Sequence, residues 1–433
     1  MSECRQVLVL DADQLSTLAV VRSLGRSGCA VTAAAASPHA IAFHSRYAGQ
    51  HLIYPDPLQQ HGAFLEWLTN TLTNHRFDLV IPVTDRSIVP ILTIRNALEA
   101  LSPIAIAPNP VMDQVLSKCR MHSLAREAGL HVPESWIIKA PAALEAIAPQ
   151  NGFPLVVKAE RSLAWLDGYG QALETRYVTD RTTLKDIWAR YALYGDVLVQ
   201  SRVTGHGVGL GLLARDGLLV NCFQYRRLHE VPLTGGGSAY RVSETLDPML
   251  EEQATQLVKQ LRWHGAMMLE FKYDPHAKMY WFIEANGRFW GGLPLALAAG
   301  VDFPQQLVAL YQHQPVSRST YSVGIRGRNL ERDIDWTRSA VRHTDFPNTR
   351  ILFDTLKWVL PREHIDSFSI DDPRPLASEV RHIGCRLLSA ARRRKRLSAS
   401  NARESVLRKN PQQIRSCLQQ AQRLVLVCSG NIM

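Results

Sequence analysis

The sequence lacks long apolar runs, paired cysteines and a leader-like start. None of its 433 residues lies in a run that approaches the roughly 20 apolar residues needed to span a bilayer. The polar start MSECRQ has no apolar core of the signal-peptide kind. The seven cysteines are scattered without close pairs, which disfavours a disulfide framework and a zinc site. These absences predict a cytoplasmic protein without a transmembrane segment.

The net charge of +10 is concentrated at one end of the chain. Residues 381–423 hold twelve Lys or Arg and one acid, Glu404, which leaves 37 basic and 38 acidic residues elsewhere. Only the tail is therefore basic. For ARRRKR at residues 391–396 a solvated helix face is the simplest interpretation. Contact with an anionic surface, such as lipid or nucleic acid, or with a partner is the alternative.

The chain is long enough for two or three domains. Apolar strands at residues 7–13, from Cys29 and at residues 79–85 alternate with amphipathic helices. This order predicts a parallel, doubly wound, Rossmann-like domain over residues 1–110. No G-x-G-x-x-G follows the first strand, so the domain shows no nucleotide site of its own.

Two apolar strands joined by an Asp-Pro turn, within residues 263–303, each carry a carboxylate. The first contains Glu270, and the second contains Glu284 and leads into Asn286. Side chains two apart on a strand share a face, and the turn brings Glu270 alongside. Any one Glu is better explained as a solvated strand end. The set of three oxygen donors with apolar flanks predicts a magnesium site completed by nucleotide phosphates.

Two lysines precede this hairpin. Lys118 lies on a predicted helix, where a solvated lysine is the simplest interpretation. Lys158 lies mid-strand in GFPLVVKAE, where burying an ammonium group is costly unless an anion meets it. Residues 161–171 follow as a predicted mobile loop that closes over phosphates.

Residues 223–244 form the most unusual polar segment, with charged side chains around three consecutive glycines. An anion or substrate loop and a flexible hairpin tip are both open interpretations. The candidate substrate contacts are Arg227, His229, Gly236, Gly237, Ser238 and Arg241.

Four short motifs occur in a fixed order: VVK at residues 156–158, VLVQ at 197–200, LEF at 269–271 and EANGRFWGG at 284–292. With them, residues 5–315 resemble the ATP-grasp superfamily, in its carbamoyl-phosphate-synthase-like branch of carboxylate-amine ligases. The resemblance implies an α/β and α+β chain. It has a pre-ATP-grasp domain at residues 1–110 and a two-lobed ATP-grasp domain at 111–315, with a lid at about 150–203.

The resemblance also implies roles for single residues. Lys118 and Lys158 would contact the phosphates of ATP, and Arg288 would face the transferred phosphate, with Lys158 and Arg288 as catalytic residues. Glu270, Glu284 and Asn286 would hold Mg²⁺, with Mn²⁺ as an alternative. The hinge receiving the adenine edge would be formed by Gln200, Ser201, Arg202 and Val203.

The implied reaction activates a small-molecule carboxylate as an acyl phosphate and joins it to an amine. A small-molecule ATP phosphotransferase and a non-catalytic nucleotide-binding regulatory module remain alternatives, and a homodimer is one open option. Two departures weaken the match: Gln200 stands where many members have Glu, and His206 and Gly207 stand where many have an acid for the ribose.

The remainder is predicted to be a helical region with the basic tail at residues 316–423, with DDPRP at 371–375 as a linker. The last ten residues, 424–433, resemble the start of a low-molecular-weight protein tyrosine phosphatase, with Cys428 as the nucleophile. The arginine that this loop needs is absent before Met433, so no phosphatase activity is expected. A truncated remnant of a fusion and coincidence are the two explanations.

Overall fold

The structure is a computed structural model that describes residues 5–145, 147, 152–166, 168–233, 235–342 and 363–389. The chain divides into two units, Met1–Leu376 and Ala377–Met433. All sheets and the site below belong to the first unit, and the described part of the second, residues 377–389, is helical. The basic stretch at 391–396 and the phosphatase-like ending at 424–433 lie outside the described residues.

Twelve labelled helices lie in the first unit's described residues. They are α1 (Leu15–Arg26), α2 (His61–Asn74), α3 (Asp85–Thr93), α4 (Arg95–Glu99), α5 (Asn109–Leu116), α6 (Lys118–Glu127), α7 (Pro141–Glu145), α8 (Arg181–Tyr191), α9 (Pro248–Leu261), α10 (Leu293–Ala299), α11 (Phe303–Tyr311) and α12 (Leu330–Ala340). Short 3₁₀ helices span Ile41–His44 and Ala192–Tyr194, and residues 374–389 are also helical.

The strands of the described residues form four sheets. They are β1 (Gln6–Val9), β2 (Ala30–Ala35), β3 (Ala48–Ile53), β4 (Leu79–Ile81), β5 (Ser135–Ile138), β6 (Leu155–Ala159), β7 (Leu163–Leu166), β8 (Tyr169–Ala172), β9 (Arg176–Val178), β10 (Val197–Ser201), β11 (His206–Arg215), β12 (Leu218–Val231), β13 (Gly237–Ser243), β14 (Gly265–Asp274), β15 (Met279–Asn286), β16 (Arg326–Arg328) and β17 (Glu363–Ile365).

The first sheet is parallel, in the order β3-β2-β1-β4. Strands β1, β2 and β4 are mostly apolar and buried, because a parallel sheet with helical crossovers is covered on both faces. The edge strand β3 is largely exposed. Gly28, whose φ is positive, follows the end of helix α1. The predicted Rossmann-like architecture is confirmed.

The remaining sheets form the two lobes of the predicted ATP-grasp fold. An antiparallel sheet in the order β5-β10-β6-β9 makes the first lobe, with the hairpin β7-β8 beside it. A seven-stranded sheet in the order β15-β14-β11-β12-β13-β16-β17 makes the second. The segment 161–171, predicted as a loop, is largely the β7-β8 hairpin. Its Gly170 N–H donates to the carbonyl of Leu58 in the first domain, at 2.7 Å.

Alternate residues of β11 are glycines because large side chains lie across that strand. A Cβ on Gly209 would lie 2.2 Å from Cζ of Tyr225, and one on Gly211 would lie 2.1 Å from the ring of Trp290. Gly209 is in register with Glu270. These glycines therefore let side chains from neighbouring segments reach the face that carries Glu270.

Gly209→Ala is expected to destabilise the fold by about 1–3 kcal/mol, because the new methyl group must displace the buried Tyr225 ring. Urea unfolding of the variant measures the loss. Gly62→Ala is the matched control: nothing lies within 4 Å of its added Cβ in α2, so its stability should stay equal or rise by up to about 1 kcal/mol. Equal stability of both variants would contradict the packing argument.

The region after residue 315 is less helical than predicted, since β16 and β17 extend the seven-stranded sheet. The prediction that DDPRP is a linker is wrong. Asp372 is 1% exposed and accepts hydrogen bonds from Arg22 Nε at 2.9 Å and Ser45 Oγ at 2.7 Å. The segment is fastened to the first domain because its two aspartates meet basic and hydroxyl groups there.

No single helix among the described residues is long and apolar enough to cross a membrane. Helices α10 and α11 reach that length and composition only when they are counted together, and the chain bends by 97° between them. Both helices bury most of their apolar side chains in the protein core.

Candidate active site

The three predicted oxygen donors lie on one face of the β14-β15 pair. Glu270 is directly opposite Glu284, and Met268 is opposite Asn286. The register then shifts so that Phe271 faces Phe282, which makes Ile283 an extra residue in β15. Asn286 Nδ2 donates to Glu284 Oε1 at 3.3 Å. The hairpin thus brings the two carboxylates and the amide together, as their spacing predicts.

The bulge at Ile283 connects this hairpin to the first lobe. Lys158 on β6 is 3% exposed, and its Nζ donates to the Ile283 carbonyl at 3.0 Å. Lys118, at the start of α6, donates through Nζ to Ser162 Oγ at 2.7 Å. The two lysines and the three oxygen donors therefore belong to one site.

Burial and charge set the protonation of this site. Burial lowers the pKa of Lys158 to about 8, against the opposing effect of Glu284. Burial favours neutral Glu284, but Lys118 and Lys158 outweigh it and lower the pKa of that carboxyl. Burial raises the pKa of Glu270, against the effect of Arg227. The site therefore pairs an ionised Glu284 with two cations.

A cleft opens over Lys118, Glu284 and Asn286. Its walls come from α3, from α5 and α6, from the start of the β7 hairpin and from the end of β15. The lining residues are Asp85, Val89, Val115, Leu116, Lys118, Met121, His122, Arg161, Ser162, Leu163, Ile283, Glu284, Ala285, Asn286 and Gly287. A cleft lined by both cations and carboxylates suits a ligand that carries phosphates together with a metal ion.

The donor set fits a hard divalent cation. Glu270, Glu284 and Asn286 offer only oxygen, which Mg²⁺ and Mn²⁺ prefer. The described residues contain no cluster of three or more His, Cys, Asp or Glu that could hold a metal by themselves. Such a cation would therefore need further oxygens, and a nucleotide's phosphates supply them.

Arg288 lies beside this donor set, and the first domain holds it. Its Nε and Nη2 donate to Oδ1 and Oδ2 of Asp85 at 3.0 and 3.3 Å. Nη2 also donates to Asn286 Oδ1 at 2.9 Å, and Nη1 to the Phe289 carbonyl at 3.0 Å. Sequence reasoning missed Asp85. The only available signal was its place at the carboxyl end of a buried parallel strand.

Gln200 at the predicted hinge is 2% exposed and tied to a residue that sequence reasoning also missed. Its Nε2 lies 3.0 Å from Ser135 Oγ and 3.1–3.2 Å from the ring nitrogens of His122. Burial, aided by Lys158, lowers the pKa of His122 to about 3, so the ring is neutral. The other three hinge residues, Ser201, Arg202 and Val203, end β10 and begin its link to β11.

The predicted substrate segment forms the β12-β13 hairpin. Arg227 is directly opposite Arg241, and its Nη2 pairs with Glu270 Oε2 at 2.8 Å. Its Nη1 donates to the Gly236 carbonyl at 2.9 Å. Arg241 is fully buried and donates to both oxygens of Asp366, at 2.5 and 2.6 Å.

The structure does not bring all candidate residues to Glu270. His229 is buried against α12, where its ring stacks on Trp336 at 3.5 Å and its Nδ1 lies 2.6 Å from Asp333 Oδ1. Bulges between Arg227 and His229 reverse the alternation that would have placed both on one face. Gly237 lies beneath the Arg332 guanidinium, whereas Ser238 is opposite Glu230, which pairs with Arg227.

No protein-family model matches the chain, but solved structures share its fold. An L-amino acid ligase from Bacillus licheniformis matches with a TM-score of 0.54 and 16% identity, over 72% of this chain and 75% of that chain. N5-carboxyaminoimidazole synthetase from Staphylococcus aureus gives 0.59 and 12%, over 79% and 86%. Biotin carboxylase from Campylobacter jejuni, in a β,γ-ATP complex, gives 0.59 and 16%, over 75% and 74%. The predicted ATP-grasp resemblance is confirmed for the fold.

Proposed function

We propose that the protein is an ATP-dependent ligase that activates a small-molecule carboxylate as an acyl phosphate and joins it to an amine. The observation that carries the proposal is one cleft lined by Lys118, Glu284 and Asn286, with Lys158 bonded to the carbonyl of Ile283, which also lines it. Ligases and carboxylases with the same fold, some solved with ADP, MgADP or an ATP analogue, support it.

The charge of each residue determines its proposed role. Lys118 and Lys158 neutralise nucleotide phosphates, and Arg288 meets the phosphoryl group in transfer. Glu270, Glu284 and Asn286 would hold Mg²⁺, or Mn²⁺ in its place. The cation would neutralise charge on the β- and γ-phosphates. Positioning and neutralisation supply most of the acceleration in such transfers.

The proposed reaction has two steps. A carboxylate oxygen attacks the γ-phosphorus, the bond to the β–γ bridging oxygen breaks, and ADP leaves with that electron pair. The amine then attacks the acyl carbon, inorganic phosphate leaves, and the nitrogen loses a proton to solvent. Arg288 would contact the phosphoryl group in both steps.

Unpaired donors support a carboxylate site beyond Glu270. Nε of Arg227, Nε and Nη1 of Arg241 and the hydroxyl of Ser238 are buried without a hydrogen-bond partner. Buried donors usually find an acceptor, and guanidinium groups suit a carboxylate. We assign the carboxylate substrate to this part of the β12-β13 hairpin, next to Arg227.

The deciding experiment incubates the protein with ATP, Mg²⁺ and pooled carboxylates and amines, and follows ADP release and new masses together. A ligase forms an amide with ADP and phosphate. A phosphotransferase releases a phosphorylated product without an amide. A nucleotide-binding module shows ATP binding without ADP release, and either of these results would overturn the proposal.

Gln200 is expected to select ATP over GTP because His122 and Ser135 orient its amide. His122 Nε2 lies 3.2 Å from the Ile283 carbonyl, so Nδ1 is the nitrogen that can accept from Gln200. With its NH₂ held inward, the amide presents Oε1 to the 6-amino group of adenine, whereas guanine has an oxygen there. His122→Phe should reduce the ATP-to-GTP affinity ratio about tenfold, the value of roughly one hydrogen bond.

Calorimetric titration of both nucleotides measures this ratio. The matched control is the double variant His122→Phe, Gln200→Glu, whose carboxylate accepts hydrogen bonds in either orientation and should recover the preference for ATP. An unchanged ratio in His122→Phe alone would show that the histidine does not orient the amide.

A further inference from the structure

Arg288 is held by four acceptors, two of which belong to one residue of the first domain. A guanidinium has five N–H groups. Asp85 takes two, the Asn286 side chain takes one and the Phe289 carbonyl takes one. One N–H on Nη1 is then left for a phosphoryl oxygen. The direction of that N–H depends on the bidentate pair with Asp85, because a fork of two bonds fixes the plane of the guanidinium.

Asp85 itself stands on a rigid turn at the carboxyl edge of the parallel sheet. Asp11, 3% exposed and just beyond β1, accepts from the backbone N–H groups of Val83 and Thr84 at 3.0 and 2.8 Å. It also accepts from the Ser87 hydroxyl at 2.6 Å. Asp85 lies between these anchored residues, so its backbone is held at the edge of the sheet.

The chain of contacts continues into the donor set. Arg288 donates to Asn286, and Asn286 donates to Glu284. Asp85 also lines the cleft together with Glu284 and Asn286. A change at Asp85 would therefore alter the orientation of the arginine and of the amide that would hold the cation.

We propose that Asp85 is a positioning residue for phosphoryl transfer, by which the first domain orients Arg288 toward the reacting phosphate. This inference rests on the proposed function and extends it, since the domain lacks a dinucleotide fingerprint yet supplies a residue to the site. Asp85 does not touch the reacting atoms. Its effect passes through Arg288.

Asp85→Asn keeps the size of the side chain but loses the charge and one acceptor. We expect kcat to fall about 10²-fold, because a donor to the transition state is misdirected, while the KM for ATP changes less than about threefold, because Lys118 and Lys158 remain. Asp85→Glu, which restores a carboxylate, should have a kcat about tenfold higher than that of Asp85→Asn. A purely structural role would lower the melting temperature without this split between kcat and KM.

A second readout does not need turnover. In nitrogen-15 spectra of arginine side chains, the Nε–H signal that Arg288→Lys removes should shift and broaden in Asp85→Asn. Asp78→Asn is the control, because Asp78 precedes β4 at the opposite end of the strand and accepts from the Gln6 N–H. An unshifted Arg288 signal overturns the inference, as does full kcat in Asp85→Asn. A wild type without amide formation instead refutes the proposed function, while the spectra still decide the positioning role.

Discussion

Glu284→Gln is expected to lower the rate of ADP formation by about 10²–10³-fold, because the site loses an anion that faces two ammonium groups. Burial disfavours the ionised form of the Glu284 carboxyl, but Lys118 and Lys158 outweigh this effect and lower its pKa. The wild-type group is therefore ionised at neutral pH. The amide has nearly the same shape. The variant therefore removes charge and one cation ligand while leaving the β14-β15 hairpin intact.

Two measurements separate chemistry from folding in this variant. ADP release under saturating ATP and Mg²⁺ gives the rate, and the melting temperature without nucleotide reports on the fold. Glu251→Gln is the matched control, since Glu251, on α9, pairs with Arg318, away from the cleft. If Glu284→Gln turned over ATP at the wild-type rate, these oxygen donors would not be the metal site.

The part of the site that lies on strands was predictable, because the spacing of residues along a strand determines which face each side chain occupies. Side chains two apart share a face, and a tight turn brings neighbouring strands into register. The proximity of Glu270, Glu284 and Asn286 therefore followed from their positions in the sequence. Lys158 was predictable for a related reason, since a lysine inside an apolar strand needs an anion nearby.

Contacts between distant segments were not predictable in the same way. Asp85 meets Arg288 across 203 residues of sequence, and His122 meets Gln200 across 78. Each pair depends on how whole lobes pack, which periodicity does not encode. His229 was misplaced for a local reason, because bulges in the β12-β13 hairpin break the alternation of faces.

The segment at 371–375 shows a third limit. Charged and proline-rich sequence is typical of linkers, and composition alone cannot tell a solvated aspartate from one that a partner buries. Arg22, the partner of Asp372, lies on the mostly buried helix α1 and is itself only 5% exposed. An arginine within the apolar stripe of α1 was the sign, in the sequence, of a buried ion pair.

Asp372→Ala is expected to lower the free energy of unfolding by about 3–5 kcal/mol, because it leaves the Arg22 guanidinium buried without its carboxylate. In the wild type both side chains are nearly inaccessible, at 6% and 1% exposure. Arg22 Nη2 would keep the carbonyls of Ser367 and residue 372, at 2.8 and 2.7 Å, but these carry no full charge. Ser45 and the Arg46 N–H would also lose their acceptor.

The neighbouring residue provides the control. Asp371 pairs with Arg26 at 2.7 Å, but the two side chains are 40% and 42% exposed, so Asp371→Ala should cost only about 0–1 kcal/mol. Denaturant unfolding of both variants measures the difference. Removing both partners, in Arg22→Met with Asp372→Ala, should cost less than the sum of the single changes, since no buried charge is left alone. Equal losses at positions 371 and 372, or strict additivity in the double variant, would contradict a buried clasp between the segment and α1.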